Sequence, residues 1–151
     1  MFISCNEHQQ DEEILNSEKI VAINENTDGD MKMRSKTLFP RFNTTEYCKA
    51  EDQEMVYEEM GEFGKENPYN LKTEFEGKRM YISYAYIDDC CQDFRAKATL
   101  ESDKLMLYHL NYSGEVCECK CKYVMTFEIN GLDSIPKELY INKERIDNYE
   151  L

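Results

Sequence analysis

The cysteines are the residues of this chain with the clearest chemical potential. Six of them follow Cys5: Cys48, Cys90, Cys91, Cys117, Cys119 and Cys121. Thiols grouped this closely can form disulfides in an oxidising compartment, and can bind a metal ion or act as nucleophiles in a reducing one. The choice among these chemistries depends on the elements that carry the cysteines and on the compartment.

The segment 116–129 has the period of a β-strand. Cysteines alternate with charged residues in its first half, and aromatic and β-branched residues continue the pattern. Residues two apart in a strand share a face, so one face is expected to be buried and the other to hold Lys120 and Lys122 in water. The expected buried face consists of Cys117, Cys119, Cys121, Tyr123, Met125 and Phe127.

This strand geometry restricts the possible disulfides. Cysteines two apart on one strand face lie about 6.6–6.8 Å apart, the outer limit for a bridge. Each cysteine of 117–121 therefore needs a partner from Cys48, Cys90 and Cys91. Two aspartates before Cys90 favour a turn or bulge there. We expect disulfides between the Cys90-Cys91 corner and the 117–121 strand, with the individual pairing open.

A metal site is the alternative use of the same thiols, because clustered thiolates suit Zn(II) or Cu(I). The candidate ligands are Cys90, Cys91, Cys117, Cys119 and Cys121. The chain lacks the C-x-x-C spacing whose turn lets two thiolates hold one ion, and His109 is expected to pack or to face solvent. The sequence therefore favours a protein without a cofactor, with zinc or copper binding as the alternative.

Catalysis is the less favoured interpretation. A reactive cysteine needs a nearby histidine or a helix N-terminus to lower its pKa, and neither is evident. The chain shows no Ser-His-Asp set, glycine-rich phosphate loop or paired histidine ligands. Asp88-Asp89 is more typical of a turn than of a glycosidase carboxylate pair. We expect the protein not to be an enzyme.

The charge balance excludes one class of partner. The net charge is −13, from 31 acidic and 18 basic residues among 151. Nucleic-acid affinity depends on neutralising phosphates with lysine and arginine, so no nucleic-acid partner is expected. No stretch approaches the ~20 apolar residues of a transmembrane helix.

Short strands separated by turn signals predict a single all-β domain over residues 31–151. A first strand is expected within 31–39 and a short helix within 46–63. The further predicted strands are Leu71–Phe75, Arg79–Ile87, Phe94–Leu100, Lys104–Tyr112, the cysteine strand and Glu138–Ile141. This pattern is typical of an antiparallel β-sandwich, immunoglobulin-like or similar.

The chain has eleven tyrosines and no tryptophan. Those on predicted strands are Tyr81, Tyr84, Tyr86, Tyr108, Tyr112 and Tyr123. Tyrosines on a sheet can stack on sugars or form a protein-binding face, whereas packing in the core and across strands is their commoner role. We expect packing, and several rings exposed in one patch would indicate binding of a glycan or of another protein.

The N-terminal residues resemble the end of a bacterial lipoprotein signal peptide, in which a small residue precedes the lipidated cysteine. Residues 1–5 are apolar and end in Ser4-Cys5, so Cys5 is the expected lipidation site. Residues 6–30 are polar and acidic, which predicts a disordered tether. The acidic run 11–13 is similar to the export signal of surface lipoproteins in gut anaerobic Gram-negative bacteria. The resemblance implies lipid anchoring at the outer membrane, facing the periplasm or the cell surface.

The cysteine domain also resembles a family. Cys90-Cys91, the Cys117-x-Cys119-x-Cys121-x-Tyr123 run and the following Ile-x-Gly-Leu are similar to small uncharacterised cell-envelope lipoproteins of gut anaerobic Gram-negative bacteria. The similarity covers about residues 80–142. It implies a β-sandwich outside the cytoplasm and implies no activity.

Overall fold

The structure is a computed structural model that describes residues 35–115 and 117–150. Within those ranges it is a β-sandwich with one short α-helix. The strands are β1 (Ser35–Leu38), β2 (Arg41–Tyr47), β3 (Tyr69–Glu76), β4 (Arg79–Asp89), β5 (Phe94–Glu101), β6 (Lys104–Asn111), β7 (Lys120–Ile129), β8 (Glu138–Ile141) and β9 (Glu144–Arg145). The expected lipidation site Cys5, the signal remnant and the tether lie outside the described residues.

The described strands form two sheets. One sheet has the order β1-β5-β6-β8-β9 and the other has the order β2-β7-β4-β3. All neighbouring strands are antiparallel except β6 and β8, which are parallel. The predicted β-sandwich is confirmed, with this parallel pair as its departure from a purely antiparallel arrangement.

The core lies between the sheets and is clearest along β7. Every second residue of that strand points inwards, and Tyr123, Met125 and Phe127 are 0% exposed. Met80, Ile82 and Tyr84 of β4 and Leu105 and Leu107 of β6 are buried in the same core. Complete burial of a large apolar side chain contributes about 1.5–3 kcal/mol, so this alternation fixes the register of β7.

The expectation that three cysteines share one strand face is wrong. β7 begins at Lys120, so Cys121 lies on its buried face whereas Cys117 and Cys119 precede the strand. Asp89, the last residue of β4, pairs with Lys120, and Tyr47, the last of β2, pairs with Lys122. Residues before Lys120 therefore have no neighbouring strand in the described part of the sheet to keep them extended.

The predicted helix is present and begins later than expected. β2 occupies the first residues of the predicted range, a short 3-10 turn follows at Ala50–Asp52, and α1 spans Gln53–Phe63. Val56 of the helix is 0% exposed and packs with Tyr69 and Ile87 in a second apolar cluster. The helix thus covers part of the outer face of the four-stranded sheet.

Candidate functional site

The cysteines meet at the end of the sandwich where β2 and β4 stop. In the described part of the chain they form three disulfides. These are Cys48–Cys121, Cys90–Cys119 and Cys91–Cys117, with Cα–Cα distances of 4.7, 5.3 and 6.1 Å. Each cysteine of the later segment takes its partner from the expected earlier set, and the Cys90-Cys91 corner is joined to that segment. The individual pairing could not be read from the sequence, because it depends on where β7 begins.

The Cys90-Cys91 corner is a turn held by defined hydrogen bonds. Cys91 has a φ of 65°, a left-handed conformation that is uncommon for non-glycine residues. The backbone N–H of Cys90 donates to the carbonyl of Cys119 at 2.9 Å. The Tyr123 hydroxyl donates to the carbonyl of Asp89 at 2.8 Å. A core residue of β7 and the facing cysteine segment therefore both hold the corner in place.

Three sulfur atoms of this corner form a compact group. The Sγ atoms of Cys90, Cys91 and Cys117 all lie within 4.8 Å of one another. Cys90 Sγ and Cys91 Sγ are 4.0 Å apart although they belong to different disulfides. A disulfide sulfur lacks the thiolate charge that binds metals and attacks electrophiles, so either chemistry requires the bonds to be reduced first.

The two aspartates before the corner have different surroundings. Lys65 Nζ lies 3.1 Å from Asp89 Oδ1, and Lys120 Nζ also contacts that carboxylate. Hydrogen bonds from Lys120 and Lys65 hold the pKa of Asp89 below its usual value. Burial raises the pKa of Asp88, whose carboxylate accepts a hydrogen bond from the Asp89 backbone N–H. Both residues belong to β4, where they pair with Cys121 and Lys120 of β7, so the interpretation of Asp88-Asp89 as a turn is wrong and the turn lies at Cys90-Cys91.

His109 is part of the core. It is 3% exposed and lies between the rings of Tyr86 and Phe94, at centroid distances of 4.3 and 5.5 Å. Its Nδ1 is 2.6 Å from the Tyr84 hydroxyl and its Nε2 is 3.1 Å from Asn142 Nδ2. Burial lowers the pKa of His109 to about 4, so the ring is neutral at physiological pH. Of the two placements expected, packing or facing solvent, the structure shows packing.

Some tyrosines lie in the core, three lie on the outer side of the five-stranded sheet, and others, including Tyr81 of β4, lie elsewhere on the surface. Tyr84, Tyr86 and Tyr123 are buried. On the outer side of the five-stranded sheet, cationic groups lie over three other rings: Arg95 over Tyr112 at 5.8 Å, Lys97 over Tyr108 at 5.9 Å and Lys104 over Tyr140 at 6.0 Å. We call these six residues the tyrosine face. Sequence reasoning missed Tyr140 and the cations, although the alternation in β5 and β8 places them opposite buried residues.

A polar network binds α1 to the four-stranded sheet that it covers. Lys122 Nζ lies 2.9 Å from a Glu59 carboxylate oxygen, and the Tyr69 hydroxyl donates to the same group. The Lys122 side chain is only 14% exposed and the Lys120 side chain 22%. The expectation that these lysines stand in water is wrong, although they do lie on the face of β7 that points away from the core. They are nevertheless largely covered, because α1 and Asp89 pack against them.

The comparisons with known proteins add no relative to this geometry. A scan against protein-family models finds no matching family, and searches of curated proteins and of solved structures find no match either. None of the helices within residues 35–115 and 117–150 has the length and apolar character needed to cross a membrane.

Proposed function

We propose that the chain is a lipid-anchored protein of a bacterial cell envelope with a binding or structural role. Cys5 would carry the lipid at the outer membrane, residues 6–30 would act as the tether, and the β-sandwich would stand in the periplasm or at the cell surface. The proposal treats the protein as a binding module without a cofactor and not as an enzyme. The resemblance of its cysteine pattern to envelope lipoproteins of gut anaerobic Gram-negative bacteria supports this assignment.

One observation carries the proposal. All six cysteines within the described residues are paired in disulfides. Such bonds persist in extracytoplasmic compartments, whereas cytosolic thiol systems reduce them. A chain with this many internal bridges is therefore best suited to the envelope.

Two measurements on the native protein test the proposed cellular location. The protein from its own cells should partition into detergent in a Triton X-114 phase separation and should incorporate a fatty-acid label, whereas Cys5→Ser should do neither. Mass spectrometry after alkylation without reductant should find the six later cysteines unmodified. An unlabelled, water-partitioning wild-type protein would refute the lipid anchor, and six alkylated thiols would refute the oxidising compartment.

The tyrosine face supports the binding role. Tyr112 and the neighbouring Leu110 are 51% and 48% exposed. Arg95 and Lys104 are paired with Asp93 and Glu138. Lys97 makes no ion pair with any described residue, and its amino group lies over the Tyr108 ring. Planar rings offer stacking surfaces for sugars, and adjacent cations suit acidic groups. β5 and β6 are interior strands, so a partner here meets side chains and not a free strand edge. We favour an acidic glycan over another envelope protein.

Polygalacturonate, an acidic polysaccharide, is a suitable probe for this face. In native affinity electrophoresis it should retard the wild-type protein, and the double variant Lys97→Gln/Tyr108→Ala should bind roughly tenfold more weakly. Arg79 and Tyr81 form a matched control on the other sheet, with the guanidinium 5.9 Å from the ring centroid. Equal losses in Arg79→Gln/Tyr81→Ala, or no retardation of the wild type, would refute glycan binding at the tyrosine face.

A metal-binding role is the second candidate, favoured by the three sulfurs of Cys90, Cys91 and Cys117 that lie within 4.8 Å of one another. In a reduced protein these thiolates, with Cys119 and Cys121 close by along the chain, would suit Zn(II) or Cu(I). Elemental analysis of protein purified without chelators tests this function. A stoichiometric metal together with free thiols would support it, and metal-free protein with intact disulfides would reject it.

A further inference from the structure

Two of the disulfides, Cys90–Cys119 and Cys91–Cys117, lie side by side at the Cys90-Cys91 corner. We call Cys90, Cys91, Cys117 and Cys119 the sulfur cluster. We propose that the sulfur cluster is a thiol–disulfide exchange site, in which opening the Cys91–Cys117 bond allows Cys117 to displace Cys119 from Cys90. The proposal rests on the proposed extracytoplasmic function and adds an activity to it.

The distances permit the exchange. Cys117 Sγ lies within 4.8 Å of Cys90 Sγ, although these two residues are not bonded to each other. Cys91 Sγ, on the outer bond, is 4.0 Å from Cys90 Sγ on the neighbouring bond. Exchange proceeds by attack of a thiolate on a disulfide sulfur, so it needs a thiol this close to an existing bond. Either bond therefore supplies a target for a thiol released from the other.

The exposure of the cluster allows an external thiol to reach it. Cys91 and Cys119 are exposed and Cys117 is half-buried, whereas Cys90 is only 4% exposed. A dithiol, either a small molecule or a dithiol protein, can thus attack Cys91, while Cys90 is shielded and receives its new partner from within the cluster. Access of this kind distinguishes labile disulfides from inert structural ones.

The backbone also permits the exchange. Cys90 directly follows β4, and its N–H is bonded to the Cys119 carbonyl at 2.9 Å. Cys117 and Cys119 precede β7 and lie outside the strand ladder, so either sulfur can approach Cys90 without breaking strand pairing. Cys121 differs, because it is a fully buried residue of β7 joined to Cys48.

The chemical steps balance. A thiolate of the external dithiol attacks Cys91 Sγ, the Cys91–Cys117 bond breaks, and Cys117 leaves as a thiolate. The second external thiol then attacks the mixed disulfide, so Cys91 is released as a thiol and the external dithiol departs as its disulfide. Cys117 next attacks Cys90 Sγ, which forms Cys90–Cys117 and expels Cys119 as a thiolate that takes up a proton. Two electrons enter from the external dithiol, and the internal step is redox-neutral.

Single cysteine variants test the internal step without a reductant. In a Cys5→Ser background, Cys91→Ser leaves Cys117 as the free thiol. Alkylation under denaturing acid quench, followed by peptide mapping, should find the label on both Cys117 and Cys119. The less populated position should carry roughly a tenth of the label or more, because the two competing bonds are chemically similar. Label on Cys117 alone would overturn the proposal.

A reciprocal variant and a control complete the test. Cys119→Ser frees Cys90, which should attack Cys117 and divide the label between Cys90 and Cys91; it decides the question if Cys91→Ser fails to fold. Cys48→Ser frees only the buried Cys121, whose label should stay in place, and label spread over other cysteines would indicate general scrambling and overturn a specific site. The wild-type thiol count separates the two proposals, because intact disulfides support the extracytoplasmic function whichever way the variants behave.

Discussion

At the scale of single residues, the hydrogen bonds around His109 define its protonation. The Asn142 amide oxygen accepts from the His109 backbone N–H at 3.0 Å, which leaves the amide nitrogen as donor to Nε2. Nε2 is therefore the acceptor and the proton of the neutral ring sits on Nδ1, donated to the Tyr84 hydroxyl oxygen. A second proton on Nε2 would face an N–H donor in a buried site, so both burial and this contact oppose the charged ring.

This environment predicts a loss of stability in mild acid. The pKa of His109 is lowered from 6.5 to about 4 in the folded protein. His109 therefore binds a proton below pH 6.5 in the unfolded chain but only below about pH 4 in the folded protein. The stabilisation is complete above pH 6.5 and should fall by about 2–3 kcal/mol between pH 7 and pH 4.5. Urea unfolding at both pH values measures the loss.

His109→Gln is the control for this pH dependence, because glutamine cannot titrate. Its free energy of unfolding should change less between pH 7 and pH 4.5 than that of the wild type, whatever its absolute stability. Glu59 and Asp89 have lowered pKa values, so their contributions are lost mainly at still lower pH. An identical pH dependence in wild type and His109→Gln would contradict the assignment.

The same geometry predicts the effect of one substitution on the histidine. Asn142→Asp replaces the donor that faces Nε2 with a carboxylate oxygen, which favours a proton there. The pKa of His109 should rise by about 1–3 in this variant. Titration of the ring signals by NMR measures the change. Asn142→Gly, which tolerates the φ of 48° at this position, is the control without a new charge. An unchanged or lower pKa in Asn142→Asp would show that the assigned tautomer is wrong.

At the scale of secondary-structure elements, α1 depends on a partly buried ion pair as well as on Val56. Burial raises the pKa of Glu59, but hydrogen bonds from Tyr69 and Lys122 outweigh it and hold the pKa below its usual value. The carboxylate is thus ionised at neutral pH and faces the Lys122 ammonium across the helix–sheet contact. The pair joins a helix with few buried residues to β7, an interior strand of the four-stranded sheet.

A double-mutant cycle measures this contribution. Glu59→Gln and Lys122→Met, separately and together, should give a coupling free energy of about 0.5–3 kcal/mol in urea unfolding. Lys78 and Asp133 are the matched control, because they lie 3.2 Å apart with side chains 72% and 89% exposed. That exposed pair should couple by less than about 0.5 kcal/mol. If the coupling free energy of Glu59 and Lys122 is no larger than that of the control pair, the ion pair does not stabilise the contact between the helix and the sheet.

Comparison by element shows what the sequence pattern could and could not predict. The strands with one apolar face, such as β4, β5 and β6, were found within one or two residues of their ends, because alternation reflects burial directly. β2 was missed because its sequence is polar and only two of its residues are even half-buried. The sequence pattern did not predict that the cysteine strand begins only at Lys120. That start depends on where β2 and β4 end, and a local pattern does not contain this information.

At the scale of the whole molecule, the disulfides restrain parts of the chain that the hydrogen bonds between strands do not. β7 is an interior strand of the four-stranded sheet, and all three bonds join it or the segment just before it to residues that directly follow β2 and β4. Two of them fix the β4 end at nearly the same place. The third reaches the residue after β2, the edge strand whose side chains contribute little to the core. The bonds are therefore unequal in what they stabilise.

This inequality gives the last prediction. Cys48–Cys121 closes a loop with a sequence separation of 73, and no other bridge among the described residues restrains β2. The double variant Cys48→Ala/Cys121→Ala should lose about 4 kcal/mol on the chain-entropy estimate. Cys91–Cys117 and Cys90–Cys119 close nearly the same loop, with sequence separations of 26 and 29. While one bond is intact, breaking the other therefore restores little conformational entropy to the unfolded chain. Cys91→Ser/Cys117→Ser should therefore lose less than about 2 kcal/mol.

Guanidinium unfolding without reductant, in the Cys5→Ser background, compares the two variants on one scale. The buried Cys121 adds to the difference, because its replacement removes a core contact whereas Cys91 is exposed. Equal losses in the two variants would mean that β2 is held by its pairing with β7 and not by the bridge. A larger loss for the exposed bond would make the sulfur cluster a structural anchor, which is difficult to combine with an exchangeable Cys91–Cys117 bond. The relative stability of the bridges therefore tests the architecture and the exchange activity together.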